Sequence, residues 1–282
     1  MEMDNSLYNL LEEIRKKNLG DNYGKEIDPD ELCEKCGENK YLMVSFENGK
    51  PFPVARQCQC KRDETKREEE ERERQRKERV IRELKVKGFD RADMQNWTFE
   101  NDDQKHPKAT ALAKRYCNNF EHAKEKGIGL VFYGNVGNGK TYLAACIANE
   151  LMSKGIPVLM TNFSQIINTI SGSYDGKQAY IDSMSNFDVL IIDDLGAERY
   201  TEYAQEIVFS VIDTRIRLKK PLIVTTNLSI GELSNTKDIT KERIYSRVLE
   251  RCYPIEVSGE DRRKAEFEAH LRASRDILGG QT

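Results

Sequence analysis

The segment Gly134-Asn135-Val136-Gly137-Asn138-Gly139-Lys140-Thr141 carries residue types suited to holding a polyphosphate. Glycines without side chains let backbone N–H groups wrap around anionic oxygens. Lys140 supplies a cation between the outer phosphates, and the Thr141 hydroxyl supplies a ligand for Mg²⁺. The spacing G-x-x-x-x-G-K-T follows the apolar run Ile128 to Tyr133 and opens a helical pattern, Thr141 to Met152. A strand, a tight loop and a helix N-terminus are therefore expected in that order, with the helix adding its positive end. A glycine-rich turn with an incidental lysine is the competing reading, and the elements on both sides argue against it. The expected nucleotide-binding set is Gly134, Asn135, Val136, Gly137, Asn138, Gly139, Lys140, Thr141 and Tyr142, with ATP as ligand.

A second apolar run, Val189 to Ile192, leads directly into Asp193 and Asp194. Adjacent side chains in a strand point to opposite faces or splay at its end, so the two carboxylates can serve different tasks. Asp193 is expected to hold Mg²⁺, and Asp194 to act as general base on the attacking water. Asn227 ends a third run, Leu222 to Thr226, where its amide can orient that water; the competing reading is a turn cap.

These residues need a scaffold that brings three strand ends together. The runs Ile128 to Tyr133, Pro157 to Thr161, Asp188 to Asp193, Leu222 to Thr226 and Pro254 to Val257 suit strands buried on both faces. Helical patterns lie between them at Ala109 to Phe120, Thr141 to Met152, Phe163 to Ile170 and Glu202 to Leu218. Such alternation predicts an α/β fold, a five-stranded parallel sheet flanked by helices.

Upstream, Cys33-x-x-Cys36 and Cys58-x-Cys60 form two close pairs about twenty residues apart, a spacing that can close a four-cysteine site for structural Zn²⁺. Gly37 suits the tight turn after the first pair. The C-x-C second pair departs from the commoner spacing, and unligated thiols are the alternative. Cys117, Cys146 and Cys252 fall on apolar patterns and read as core residues. From Lys61 to Lys87 nearly every residue is charged, with Glu and Arg three or four apart, as in a solvated single helix. The expected domains are 1–60 for the cysteine module, 61–88 for the linker and 89–282 for the nucleotide-binding domain.

Four stretches together, VFYGNVGNGKT, VLIIDDLGAE, KPLIVTTNL and ERIYSRVLER, resemble the Walker A, Walker B, sensor 1 and box VII elements of AAA+ ATPases. The Asp-Asp-Leu-Gly form is similar to that of the DnaC/DnaI helicase loaders and the IstB transposition helpers. The resemblance covers about 89 to 263 and implies an AAA+ P-loop fold with a truncated lid. It also implies that Arg247 reaches the γ-phosphate of a neighbouring subunit, with Arg243 and Arg251 as runners-up, and that hydrolysis needs self-association through the AAA+ domain. A sensor 2 role for Arg262 or Arg263 is a weaker implication. In loaders the region before the AAA+ domain docks on a hexameric, DnaB-type replicative helicase and in DnaI-like members binds zinc, so residues 1–60 are expected to do the same.

Formal net charge is −3 for 282 residues, so a DNA contact has to be local. Residues 171–185 form a flexible stretch with Tyr174, Lys177 and Tyr180, suited to stacking on single-stranded DNA, or otherwise an exposed surface loop. The acidic, amphipathic start lacks the features of a secretory signal, and no apolar run approaches the roughly 18 residues of a membrane span, so a cytoplasmic protein is expected. The resemblance thus implies ATP-dependent loading of a replicative helicase onto single-stranded DNA during replication initiation. The alternatives are an IstB-like ATPase assisting transposition and a non-hydrolysing ATP-binding adaptor.

Overall fold

The five runs rich in Val, Ile and Leu become the strands of one parallel sheet in the computed structural model, which describes residues 13, 16–17, 28–44, 51–172, 176–197, 201–259, 261, 267–268 and 270–275. They are β3 (Gly129–Tyr133), β4 (Val158–Asn162), β5 (Val189–Leu195), β6 (Leu222–Thr226) and β7 (Cys252–Glu256), in the spatial order β4-β5-β6-β3-β7. Side-chain alternation sends Leu130 and Phe132 of β3 to one face and Val131 to the other. In β5, Val189 and Ile191 face the first side, and Leu190 and Ile192 the second. The sheet is thus apolar on both faces, and helices cover both.

One face is covered by α2 (Pro107–Asn118), α3 (Phe120–Lys126) and α4 (Lys140–Ser153). The other carries α5 (Phe163–Ser171), α6 (Lys177–Met184), α7 (Glu202–Arg217) and α9 (Ile239–Arg251), with the short α8 (Ile230–Ser234) after β6. Polar residues start several of these helices. Asn162, Thr201 and Asp238 accept backbone N–H groups at α5, α7 and α9, and Ser229 and Glu232 cap α8 reciprocally.

Two expectations are corrected. The single helix expected over Ala109 to Phe120 is two, interrupted at Asn119, with Phe120 starting α3. The stretch 171–185 is not flexible loop throughout: from Lys177 it is helix α6, which buries Ile181 and Met184. Tyr174, Arg262, Arg263 and most of the segment expected after the last strand lie outside the described residues.

The chain divides into two units, Met1–Arg76 and Lys77–Thr282. The first contains an antiparallel hairpin, β1 (Tyr41–Val44) and β2 (Phe52–Ala55), that the sequence pattern did not reveal. The division falls within α1 (Gln59–Gly88), whose only buried residue is Gly88. Its charged side chains pair along the helix, as in Lys61–Glu64 at 3.0 Å and Arg74–Glu71 at 2.5 Å.

A buried cation ties the lower end of the sheet. Arg215 of α7, 2% exposed, donates to the carbonyls of Phe187 (2.8 Å), Asp188 (2.5 Å), Pro221 (3.2 Å) and Met184 (3.4 Å). It thereby joins the end of α6 to the starts of β5 and β6. Burial pulls its pKa down to about 10, so it stays charged at neutral pH. Arg215→Met leaves those carbonyls without their donor and should lower the unfolding free energy by about 2–4 kcal/mol. Urea unfolding followed by emission of Trp97, the single tryptophan, checks this; an unchanged midpoint would refute it.

Candidate nucleotide and metal sites

The loop after β3 takes its shape from glycine. Gly134, Gly137 and Gly139 have φ of 137°, 79° and 92°, which L side chains adopt poorly. A Cβ on Gly134 would stand 2.4 Å from the Val257 carbonyl oxygen, and one on Gly137 1.7 Å from Asp261 Oδ1. Asn138, fully buried, donates its amide to the same Val257 carbonyl and fastens the loop to the end of β7. Lys140, 5% exposed, folds back over the loop, with Nζ 2.9 Å from Gly134 O, 2.7 Å from Asn135 O and 3.3 Å from Asn138 Oδ1. Three neutral oxygens meet its charge, an arrangement that anionic phosphate oxygens can replace with stronger partners.

The strand order places the ends of β5 and β6 beside this loop. Thr141 Oγ1 donates to Asp193 Oδ1 at 2.9 Å, and Thr225 Oγ1 donates to the same oxygen at 2.6 Å. Burial pushes the Asp193 carboxyl above its usual range, the Thr225 bond pulls it back, and the Asp194 charge pushes it up again. A half-buried carboxylate beside a second carboxylate and a hydroxyl is a donor set that fits Mg²⁺. Asp194 has φ of 56°, and its Oδ1 lies 3.4 Å from Asn227 Nδ2. Lys140, Thr141, Asp194 and Asn227 all line one cleft of about 410 Å³.

Two residues the sequence did not nominate, Arg91 and Trp97, also line that cleft, beside the expected Tyr142. The Trp97 and Tyr142 rings are 5.6 Å apart, and the Arg91 guanidinium lies 5.5 Å from the Trp97 ring. Asn149 of α4 fixes this lining by donating to Met94 O (2.8 Å) and Trp97 O (2.9 Å), and Tyr142 Oη donates to Thr98 O at 3.0 Å. Two rings and a guanidinium suit the flat face of a nucleobase.

The arginines of α9 stand elsewhere. Arg247 pairs with Asp213 of α7 at 3.2 Å and with Glu250 at 3.6 Å, Arg243 lies over the Phe209 ring at 4.5 Å, and Arg251 pairs with Glu250 at 3.3 Å. None of the three lines the cleft of its own chain. Lys177 pairs with Glu206 at 2.8 Å and lies over the Tyr203 ring, while Tyr180 is half-buried on the α7 side of the sheet.

In the first unit the Sγ atoms of Cys33, Cys36, Cys58 and Cys60 all lie within 4.8 Å of one another. Sulfurs around a tetrahedral Zn²⁺ stand roughly 3.8 Å apart, given Zn–S bonds near 2.3 Å, so this donor set fits zinc. Gly37, at φ of 71°, turns the chain between the pairs, and its N–H donates to Cys33 O at 2.8 Å. The Cys36 and Lys35 amides and the neighbouring thiols hold the Cys33 thiol down at about 6, whereas the Cys58 and Cys33 thiols push Cys60 up. Cys117, Cys146 and Cys252 are buried, and burial pushes each thiol up to about 12.

A family model described as IstB-like ATP binding protein matches residues 64–269. The chain belongs to the IstB-like ATP-binding protein family. Among curated relatives of this family member, the replicative helicase loader DnaC of Escherichia coli (strain K12) is 30% identical over 164 residues, 55% of this chain and 63% of DnaC. The replicative helicase loader DnaI of Bacillus subtilis (strain 168) is 27% identical over 185 residues, 61% of this chain and 60% of DnaI. The chain thus spans less than two thirds of the length of either. A crystal structure of DnaI superposes with a TM-score of 0.53 at 26% identity, covering 64% of this chain and 98% of that one. The fold is the AAA+ P-loop fold, and the family binds ATP. Among the described residues, no helix is long and apolar enough to cross a membrane.

Adding ATP·Mg²⁺ should change the emission of Trp97, and Lys140→Ala should weaken binding at least roughly tenfold through loss of its charged bonds. Unchanged emission on a chain that calorimetry shows to bind ATP would place the base elsewhere. Elemental analysis of the purified chain should find about one zinc per chain, lost when Cys33 and Cys36 are both changed to serine; a metal-free wild type would remove zinc from the cysteine module.

Proposed function

We propose that this chain is an ATPase that loads a hexameric, DnaB-type replicative helicase onto single-stranded DNA during replication initiation. The observation that carries the reading is the meeting of Thr141, Asp193, Asp194 and Asn227 beside Lys140 in a family whose curated relatives are named replicative helicase loaders. In this reading, Lys140 and the amides of Gly134 through Tyr142 hold the triphosphate, and Thr141 and Asp193 hold Mg²⁺. Asp194 takes the proton of the attacking water, which Asn227 orients. Held there, Mg²⁺ would supply positive charge against the negative charge that develops during hydrolysis.

Arg247 supplies the remaining positive charge from a neighbouring subunit, so turnover belongs to a self-associated form. Its pairing with Asp213 is no obstacle, because Arg247 is 44% exposed and an exposed ion pair holds it only weakly. Residues 1–60, with zinc on Cys33, Cys36, Cys58 and Cys60, grip the helicase, residues 61–88 act as spacer, and residues 89–282 form the ATPase. The protein works in the cytoplasm, where four thiols remain reduced and available to a metal.

The match to an IstB-like ATP binding protein model leaves a second reading, an IstB-like ATPase assisting transposition, which would bind duplex DNA. The four-cysteine module argues for the loader. A non-hydrolysing adaptor would have no use for Asp194 and Asn227 at hydrogen-bond distance.

Native mass measurement of the full chain with ATP, Mg²⁺ and a DnaB-type hexamer should give a joint assembly that is lost when Cys33 and Cys36 are both serine. Turnover should rise with chain concentration, and Arg247→Ala should lower it by about 10³-fold with ATP affinity unchanged. Turnover independent of concentration and insensitive to Arg247→Ala would dismiss the shared site. Tighter binding to duplex than to single-stranded DNA at fixed salt would favour transposition.

A further inference from the structure

The two aspartates that end β5 ought not to share a face. Strand alternation sends Val189 and Ile191 to the α4 side and Leu190 and Ile192 to the α7 side, so Asp193 returns to the α4 side, where it meets Thr141. Continued alternation would turn Asp194 away from the cleft and into the second core. Leu195 occupies that core instead, and Asp194 lines the cleft. The reason is one extra residue in β5: Ile192 is opposite Val224 while Leu195 is opposite Thr226, so three steps on β5 match two on β6. Asp194 is the residue absorbed there, at a left-handed φ of 56°. For a non-glycine residue that conformation costs free energy and must be held by its surroundings.

The holding group is Thr225. Its side chain, fully buried, is opposite the irregularity, and its hydroxyl accepts the Asp194 N–H at 2.9 Å while donating to Asp193 Oδ1 at 2.6 Å. One hydroxyl thus takes up a backbone donor at the bulge and fixes the carboxylate before it. We propose that Thr225 is the positioning residue that turns both Asp193 and Asp194 toward the nucleotide cleft, one for the metal and one for the water. Thr225 is buried and does not line the cleft, so it acts through the two aspartates that it holds. The proposal rests on the ATPase reading for the role of Asp194; for the metal side it rests on ATP·Mg²⁺ binding alone.

Paired substitutions isolate the hydroxyl. Thr225→Val keeps the shape and removes both bonds, and Thr225→Ser keeps both bonds. In the full-length chain, Thr225→Val should lower turnover roughly 10- to 100-fold, the range usual for groups that orient metal ligands, and shrink the gain in ATP affinity on adding Mg²⁺ by a similar factor. ATP affinity in EDTA should stay within about twofold of wild type, and Thr225→Ser should stay within about threefold on every measure. Should the valine variant fail to fold, as judged by Trp97 emission and circular dichroism, Thr225→Ala against Thr225→Ser makes the same comparison.

A valine variant with wild-type turnover and a wild-type Mg²⁺ gain overturns the proposal. So does a serine variant as impaired as valine, which would make the methyl group the important part. A wild-type chain that binds ATP·Mg²⁺ without turning it over sinks the ATPase reading, and the Mg²⁺ gain then still decides for or against Thr225.

Discussion

Neighbouring strands lie about 4.8 Å apart, so the ends of β3 and β5, on either side of β6, stand about 10 Å apart. Neither end could act on a ligand held by the other without something reaching across. The first turn of α4 makes that reach, because the glycine loop bends the chain from β3 back over the sheet edge and sets Thr141 against Asp193. This contact depends on the order β5-β6-β3, and that order requires the chain to leave β3 for the outer strand β4 and work back through β5 and β6. The cleft is therefore a property of the crossover connections, located outside the carboxyl ends of parallel strands where the winding reverses.

The cleft's charges are arranged so that protein oxygens stand in for those of a ligand. Lys140 is almost fully buried, and its charge would be costly without the two loop carbonyls and the Asn138 side chain. Asp193 has the opposite problem, since burial and Asp194 both work against its ionised form. Two threonine hydroxyls meet only part of that demand. A divalent cation would meet the rest, and in the proposed reading the site's poor solvation of its own carboxylate would favour metal-bound nucleotide.

Local features of the site were legible in the sequence, and features made by tertiary contact were not. The phosphate loop, the Asp193-Asp194 pair, Asn227 and the five strands each announce themselves within a few residues, because glycine spacing and buried-strand composition are short-range properties. Trp97 and Arg91 lie forty or more residues before Lys140 and reach the cleft only because Asn149 holds their segment against α4. Thr225 looks like any threonine in a buried strand, and nothing in VLIIDDL marks which residue the sheet absorbs as a bulge. Helix α6 was missed because its apolar residues, Ile181 and Met184, are too few to set a period. The hairpin was missed because four-residue strands are short enough to pass as turns.

The first unit poses a different folding problem. Among the side chains described between residues 28 and 60, Phe52 not being one of them, the buried apolar ones are Tyr41 and Cys58, around two strands of four residues each. Burial of that size is far below the conformational entropy of ordering thirty residues, which runs to roughly 1–2 kcal/mol for each. A two-stranded hairpin is marginal in water on its own. The four sulfurs converge where the hairpin meets the start of α1, and a metal binding there would contribute its affinity directly as folding free energy. The proposed division of labour thus follows from size: a unit with a large core can direct ligand binding to chemistry, whereas a unit without one needs it to hold a shape, and a held shape is what docking on a partner requires.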